Sequence, residues 1–169
     1  HGRGANLLAY RTDIVKPAPT SWGAVFDTNS PYKGKITAYD SPIYIADAAL
    51  YLMKTKPELG IKYPYALDQK QFDASIALLK EQKPLISEYW GDYLKHVASL
   101  KSGTTVLGTT WQVNINLAQS EKVPVQGIKP VEGSTGWSDT WMVSSAAKNP
   151  NCAYMWLNHI VSPQANASV

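Results

Sequence analysis

Phenylalanine is scarce in this sequence: two stand against ten tyrosines and six tryptophans. Cysteine is rarer still. Cys152 alone excludes an internal disulfide framework and a multi-cysteine zinc site, though not export. The three histidines, His1, His96 and His159, lie far apart in no metal-ligand spacing, so no metal is expected. Neither a G-x-x-x-x-G-K-[ST] nor a G-x-G-x-x-G run occurs, which removes phosphate-loop readings, and no cofactor is expected. No apolar stretch approaches the roughly 18 residues of a spanning helix. Sixteen basic residues against thirteen acidic ones leave +3, carried by scattered lysines rather than packed runs. That pattern argues against a nucleic-acid partner.

What remains is a globular composition, 44% hydrophobic and 17% charged over 169 residues, ample for a core. Short apolar strands alternate with capped helices, the pattern of an α/β fold. Strands are expected at Ala5 to Tyr10, Lys35 to Tyr39 and Thr104 to Thr109, with weaker candidates at Val123 to Val125 and Trp141 to Val143. A short helix is expected from Thr20 or Ser21 through Val25. Ser41-Pro42 supplies an N-cap and first-turn proline for a helix whose Ile45, Ala48, Ala49, Leu52 and Met53 form one apolar stripe. Asp68 caps the next helix, Tyr93 to Leu100 forms another before Ser102-Gly103, Val113 to Ser120 follows, and Asn149-Pro150 opens the last through Ile160. The sequence opens without an initiator Met or a charged-then-apolar leader and stops at a fresh helix start, Ser162-Pro163. A piece of a larger protein is therefore expected.

His96, between Tyr93 and Val97, reads as a surface residue, and Cys152 as a small buried hydrophobe. Asn166-Ala167-Ser168 fits a glycosylation triplet, which is common by chance. A hydrolase would pair Asp40 with Asp139 as acid and base, although turn and capping roles explain isolated aspartates equally well.

Three stretches at strand-to-loop borders carry the functional reading. They are Tyr39-Asp40-Ser41-Pro42-Ile43-Tyr44, Gly108-Thr109-Thr110-Trp111-Gln112, and the glycine-flanked Gly133-Ser134-Thr135-Gly136-Trp137-Ser138-Asp139-Thr140-Trp141. Ligands of α/β sheets bind at the carboxyl ends of strands, so the three are expected to converge on one crevice. Indole faces attract cations and a carboxylate pairs with an ammonium, which together describe a box for an organic cation. The residues leave two other accounts open: Trp111 and Trp141 as core with Asp139 capping a turn, and a tryptophan-rich carbohydrate-binding surface.

An ordered set of motifs resembles the bacterial spermidine/putrescine-binding proteins of ABC importers. The set runs Gly4-Ala5-Asn6-Leu7-Leu8-Ala9-Tyr10-Arg11-Thr12-Asp13, Pro19-Thr20-Ser21-Trp22, Pro31-Tyr32-Lys33-Gly34-Lys35, Gly108 to Trp111, Gly136-Trp137-Ser138-Asp139 and Asn149 to Pro163. The resemblance implies one lobe of a two-lobed periplasmic-binding fold with a mixed sheet flanked by helices. It assigns 1–140 to the second lobe and 141–169 to a returning segment that packs toward the first. It also implies a non-enzymatic, exported, lipid-anchored protein that captures a polyamine or similar amine and passes it to an ABC permease. An amino acid or sugar on the same fold is the alternative ligand. Trp111 matches a tryptophan that packs on the ligand's methylene chain, and Trp137 with Asp139 the pair that sandwiches and neutralises an amine. Asp40 is retained at the strand-to-helix turn, while Ser41 and Tyr44 stand where further acids would be expected. A lobe taken alone is expected to self-associate.

Overall fold

The computed structural model describes residues 2–167; His1, and Ser168 of the glycosylation triplet, lie outside them. The chain forms two compact units, Ala5–Thr135 and a smaller one made of the residues up to Gly4 with those from Gly136 onward. A strand near the amino terminus, β1 (Arg3–Ala5), pairs with β7 (Gly136–Ser138).

The larger unit is built on a five-stranded mixed sheet of order β4-β3-β5-β2-β6. Its strands are β2 (Leu7–Arg11), β3 (Ile36–Tyr39), β4 (Ile86–Trp90), β5 (Leu107–Thr110) and β6 (Val125–Ile128). β3 pairs in parallel with both β4 and β5, and β2 runs antiparallel to β5 and β6. Side chains alternate across β2. Leu8 and Tyr10 join Trp22, Val25, Phe26, Ile36, Ala38, Tyr44 and Ala48 on one face, while Ala9 joins Val97, Leu100, Ile115, Ala118 and Val125 on the other. The first face is covered by α1 (Gly23–Phe26), α2 (Tyr44–Thr55) and α3 (Gln69–Gln82), the second by α4 (Tyr93–Ser102) and α5 (Gln112–Ser120).

Local signals explain most of these boundaries. Asp68 and Gln71 form a reciprocal capping box on α3, and Asp92 accepts the Leu94 and Lys95 amides at the start of α4, which closes on Gly103 at φ 77°. Ser41 and Pro42 lie two residues before α2 proper. They form a preceding turn, in which the Tyr44 amide donates to Ser41 O at 3.0 Å. The stretch Trp141 to Val143 forms no strand, and Trp141 and Met142 are exposed. β4, absent from the expectations above, has the half-buried alternation of an ordinary strand.

Ser21 and Trp22 are held by Glu132, itself largely buried. The Ser21 hydroxyl and the Trp22 amide both donate to its carboxylate, and the Trp22 indole donates to Gly133 O at 2.9 Å. A second buried acid, Asp47 of α2, is fully enclosed. It accepts from Asn6 Nδ2 at 3.0 Å and from the Thr135 hydroxyl. Burial pushes its carboxyl up to about 6, partly countered by those hydrogen bonds. His96 is not at the surface but fully buried, and burial lowers its imidazole to about 4.

In the smaller unit α6 (Pro150–Ile160) has no buried residue, and α7 (Pro163–Asn166) follows it with Ser162 as its cap. Cys152 is exposed rather than buried, because nothing within this unit covers that turn of the helix.

Two outcomes follow. A methyl group built on Gly108 would lie 2.0 Å from Thr37 O, so Gly108→Ala should lower unfolding free energy by at least about 2 kcal/mol in urea titration. The two buried titratable groups should oppose each other in acid. Asp47, raised, contributes stability that is complete below its unfolded value and lost as pH rises through about 6. His96, lowered, contributes stability present above its unfolded value and lost as pH falls through about 4. Asp47→Asn should therefore lose stability between pH 7 and 4, and His96→Gln should gain it. Each change should be roughly 2–3 kcal/mol at about 1.4 kcal/mol per unit, checked by denaturant unfolding at each pH.

Candidate ligand-binding site

The parallel pairing of β3 with β4 and β5 brings the carboxyl ends of these strands to one edge of the sheet. β2 runs the other way, with Leu7 opposite Thr110, so the residue that precedes it, Asn6, reaches the same edge. Tyr39, Trp90 and Trp111 end or follow these three strands and form an aromatic triangle. Ring centroids are 4.7 Å apart for Tyr39–Trp90, 5.1 Å for Tyr39–Trp111 and 4.9 Å for Trp90–Trp111, the last two edge-on. Positive ring edges thus meet negative faces. Trp90 is the buried foundation: its indole donates to Thr109 O at 3.1 Å and its ring stacks on His96 at 4.7 Å. Trp111, at the N-cap of α5, is only half-buried, and its indole donates to Asn6 Oδ1 at 3.1 Å.

Asp40 is exposed at this edge, and its amide donates to Trp90 O at 2.8 Å. The neighbouring Tyr89 phenol is raised, first by burial and then by the Asp40 charge. Ser41 is half-buried and accepts the Ile43 amide at 3.4 Å. Tyr44 departs from the expected rim position. It lies one turn before Ala48 on the stripe of α2 that faces the core, and Gln82 Nε2 donates to its hydroxyl at 2.7 Å. Burial holds its phenol protonated.

Trp137 and Asp139 belong to the smaller unit, not to the one that carries Trp111, Asp40, Ser41 and Tyr44. There β7 presents them two residues apart over glycines of the amino-terminal segment. A methyl group on Gly4 would meet Trp137 Cζ2 at 2.1 Å, one on Gly2 would meet Asp139 Oδ2 at 2.6 Å, and the Asp139 amide donates to Gly2 O at 2.8 Å. The indole is half-buried and the carboxylate exposed. The six expected residues thus separate into a sheet-edge set, Trp111, Asp40 and Ser41, a two-residue set, Trp137 and Asp139, and one core residue, Tyr44. Among the described residues no three His, Cys, Asp or Glu side chains gather to hold a metal ion.

Sequence reasoning did not single out Trp90, Asn6 or Asp47. Trp90 closes a run, Ile86 to Trp90, whose sequence does not alternate and whose strand character comes from pairing with β3. Asp47 carried no signal beyond an acid set among the alanines of an apolar helix.

Known proteins are similar to this chain in sequence and fold. The chain is 28% identical over 159 residues to a spermidine/putrescine-binding periplasmic protein of Haemophilus influenzae, covering 94% of this chain and 41% of that one. It is 25% identical over 167 residues to the corresponding protein of Escherichia coli, covering 98% and 45%. The chain thus spans less than half the length of either relative. In structure it superposes on an ABC transporter substrate-binding protein of Bradyrhizobium japonicum with a TM-score of 0.76 and 25% identity, over 95% of this chain and 47% of that one. The sheet topology, the partial coverage and a family match over residues 3–169 agree: the chain is one lobe-like α/β piece and belongs to the bacterial extracellular solute-binding proteins.

Proposed function

We propose that this chain is the solute-capturing part of an ABC importer outside the cytoplasm, lipid-anchored, non-enzymatic, and selective for a small organic cation such as a polyamine. The observation that carries the reading is the sheet edge where Trp111 stands on the Tyr39–Trp90 base with the exposed Asp40 carboxylate at the same edge. A rigid indole supplies a surface for methylene groups and a face for a cation, and the aspartate supplies the counter-charge. Trp137 with Asp139 repeats the combination on the smaller unit. The relatives named for spermidine and putrescine support the choice of an amine. Tyr44 plays no part in this proposal, and Ser41 leaves Asp40 as the one acid of the Tyr39–Tyr44 turn. A buried second ammonium without a partner there would cost several kcal/mol, which favours a ligand presenting one charge at that end.

Each set alone binds weakly. An open cation–π contact contributes about 0.5 kcal/mol and an exposed ion pair roughly 0–1 kcal/mol, together far below the roughly 4 kcal/mol of a millimolar complex. Calorimetry of the 169-residue chain with micromolar spermidine should therefore show no heat. At tens of millimolar, spermidine should shift the Trp111 and Trp137 indole resonances while a neutral sugar does not. Asp139→Asn should remove the Trp137 response and spare that of Trp111. A micromolar isotherm would overturn the weak-binding expectation and mean that the whole site lies within this chain, and equal shifts with the sugar would overturn the choice of an amine.

We also infer that the chain self-associates through α6. This helix leaves Tyr154, Met155 and Trp156 at 56%, 72% and 53% exposure, large apolar side chains whose burial favours association. Sedimentation velocity should show dimers or larger species, and Trp156→Glu should return a monomer.

A further inference from the structure

The chain passes between its units at Gly4–Ala5 and at Thr135–Gly136, and the first polar side chains on the larger unit's side of each crossing are Asn6 and Thr135. Both close on one carboxylate. Asn6 Nδ2 donates to Asp47 Oδ2 at 3.0 Å and to Thr135 Oγ1 at 2.9 Å, the Thr135 hydroxyl donates to Asp47 Oδ1, and the Asn6 amide nitrogen donates to Thr135 O at 3.0 Å. The remaining atom of the Asn6 side chain, Oδ1, accepts the Trp111 indole at 3.1 Å. All of these polar side chains except Trp111 are buried.

We propose that Asp47 is a positioning residue and a proton-responsive latch: through Asn6 it fixes the Trp111 indole, through Asn6 and Thr135 it holds the chain at both crossings, and proton uptake weakens its hold on all three. The inference takes from the proposed function only the role of Trp111 as a ligand contact.

The direction of every hydrogen bond follows from donor chemistry. An indole nitrogen only donates, so the Asn6 group facing Trp111 must be its carbonyl oxygen. The amide nitrogen of Asn6 must then point at Asp47 and Thr135, which requires acceptors there. An ionised carboxylate accepts at both oxygens and satisfies this demand, leaving the Thr135 hydroxyl proton free to complete the triangle. A proton on Oδ2 would set a donor against Asn6 Nδ2 and lose that bond, and turning the Asn6 amide to relieve it would present Nδ2 to the indole, donor against donor. A proton on Oδ1 would reverse the bond to the Thr135 hydroxyl, which accepts as well as donates, leaving the hydroxyl proton without an acceptor in the triangle and turning the charge-assisted bonds into weaker neutral ones.

The position of the latch on the pH scale has a physical cause. Desolvation of the enclosed carboxylate raises it to about 6, and the Thr135 and Asn6 hydrogen bonds hold it from going higher. Among the described residues no charged group contributes to this shift. The charge of Asp47 in turn helps keep the Tyr44 phenol on the same helix protonated.

The test uses the 169-residue chain without ligand, so its outcome is separable from that of the amine reading. In ¹⁵N-labelled protein the Trp111 Nε1–H resonance is assigned by its loss in Trp111→Phe and followed from pH 7.5 to 5. It should move upfield with a midpoint near 6, and its hydrogen exchange, corrected for intrinsic rate, should accelerate at least tenfold. The Trp90 Nε1–H, bonded to Thr109 O, should stay fixed in the same samples. In Asp47→Asn the Trp111 movement should vanish. Thr135→Val adds no charge and removes one bond that holds the carboxyl down, so it should shift the midpoint upward by about half a unit or more. This arm decides the matter if Asp47→Asn does not fold. A Trp111 signal that ignores pH in the parent chain, that moves equally in Asp47→Asn, or whose midpoint does not rise in Thr135→Val would overturn the proposal.

Discussion

The site rests on one close approach of backbone to backbone. β5 lies against β3 at Gly108, where a Cβ would collide with the Thr37 carbonyl, and only a residue without a side chain permits it. That contact fixes β3 between β4 and β5 and sends all three strands in one direction. The aromatic triangle is a direct result, since Tyr39, Trp90 and Trp111 sit at or just beyond the ends of these strands and nowhere else could meet within about 5 Å. The glycine is placed one strand-length before Trp111, so the residue that allows the packing and the residue that uses it belong to the same short motif.

The unit also carries two carboxylates inside it without a basic residue to pair with either. Glu132 is satisfied by Ser21 and the Trp22 amide, Asp47 by Asn6 and Thr135. Neutral donors satisfy a buried acid at less desolvation cost than a second buried ion, and at Asp47 burial still raises the carboxyl to about 6. Both acids reach the same stretch of chain, Glu132 lying three residues before Thr135, so the segment leading out of the larger unit is held at two points by acceptors rather than by apolar packing. Hydrogen-bonded anchors of this kind fix direction, whereas apolar contacts fix mainly proximity.

Legibility followed the physics of each element. Helix starts with a local signal were readable, the side-chain cap of Asp68 and the first-turn Pro150 after Asn149, because each acts within one turn of chain. The strands of the larger unit that alternate around a glycine or a β-branched run were also readable. β4 was not: its Ser87, Glu88 and Tyr89 are half-exposed or exposed, and only parallel pairing with β3 makes a strand of them. Trp141 to Val143 has strand-like composition but no partner strand to complete it. For the site, the resemblance gave Trp111, Trp137 and Asp139 as ligand contacts; Trp111 and Trp137 are half-buried and Asp139 is exposed. Tyr44, expected at the rim, and His96, read from its helix position as a surface residue, are buried because of which face of a helix meets the sheet, and Asp47, not singled out, is polar in sequence and core in space.

A flat aromatic surface is useful for recognition only if its angle is set, since a cation or a methylene chain responds to the ring face and not to the residue's mere presence. Packing alone sets two of the triangle's rings poorly, because edge-on contacts tolerate rotation about the edge. A hydrogen bond from each indole removes that freedom: Trp90 is tied to Thr109 O and Trp111 to Asn6 Oδ1. The two ties differ in kind. A strand carbonyl cannot change its charge, whereas Asn6 answers to Asp47. The buried ring is therefore fixed to the sheet and the half-buried ring to a titratable group, which places adjustability on the side of the triangle that meets solvent.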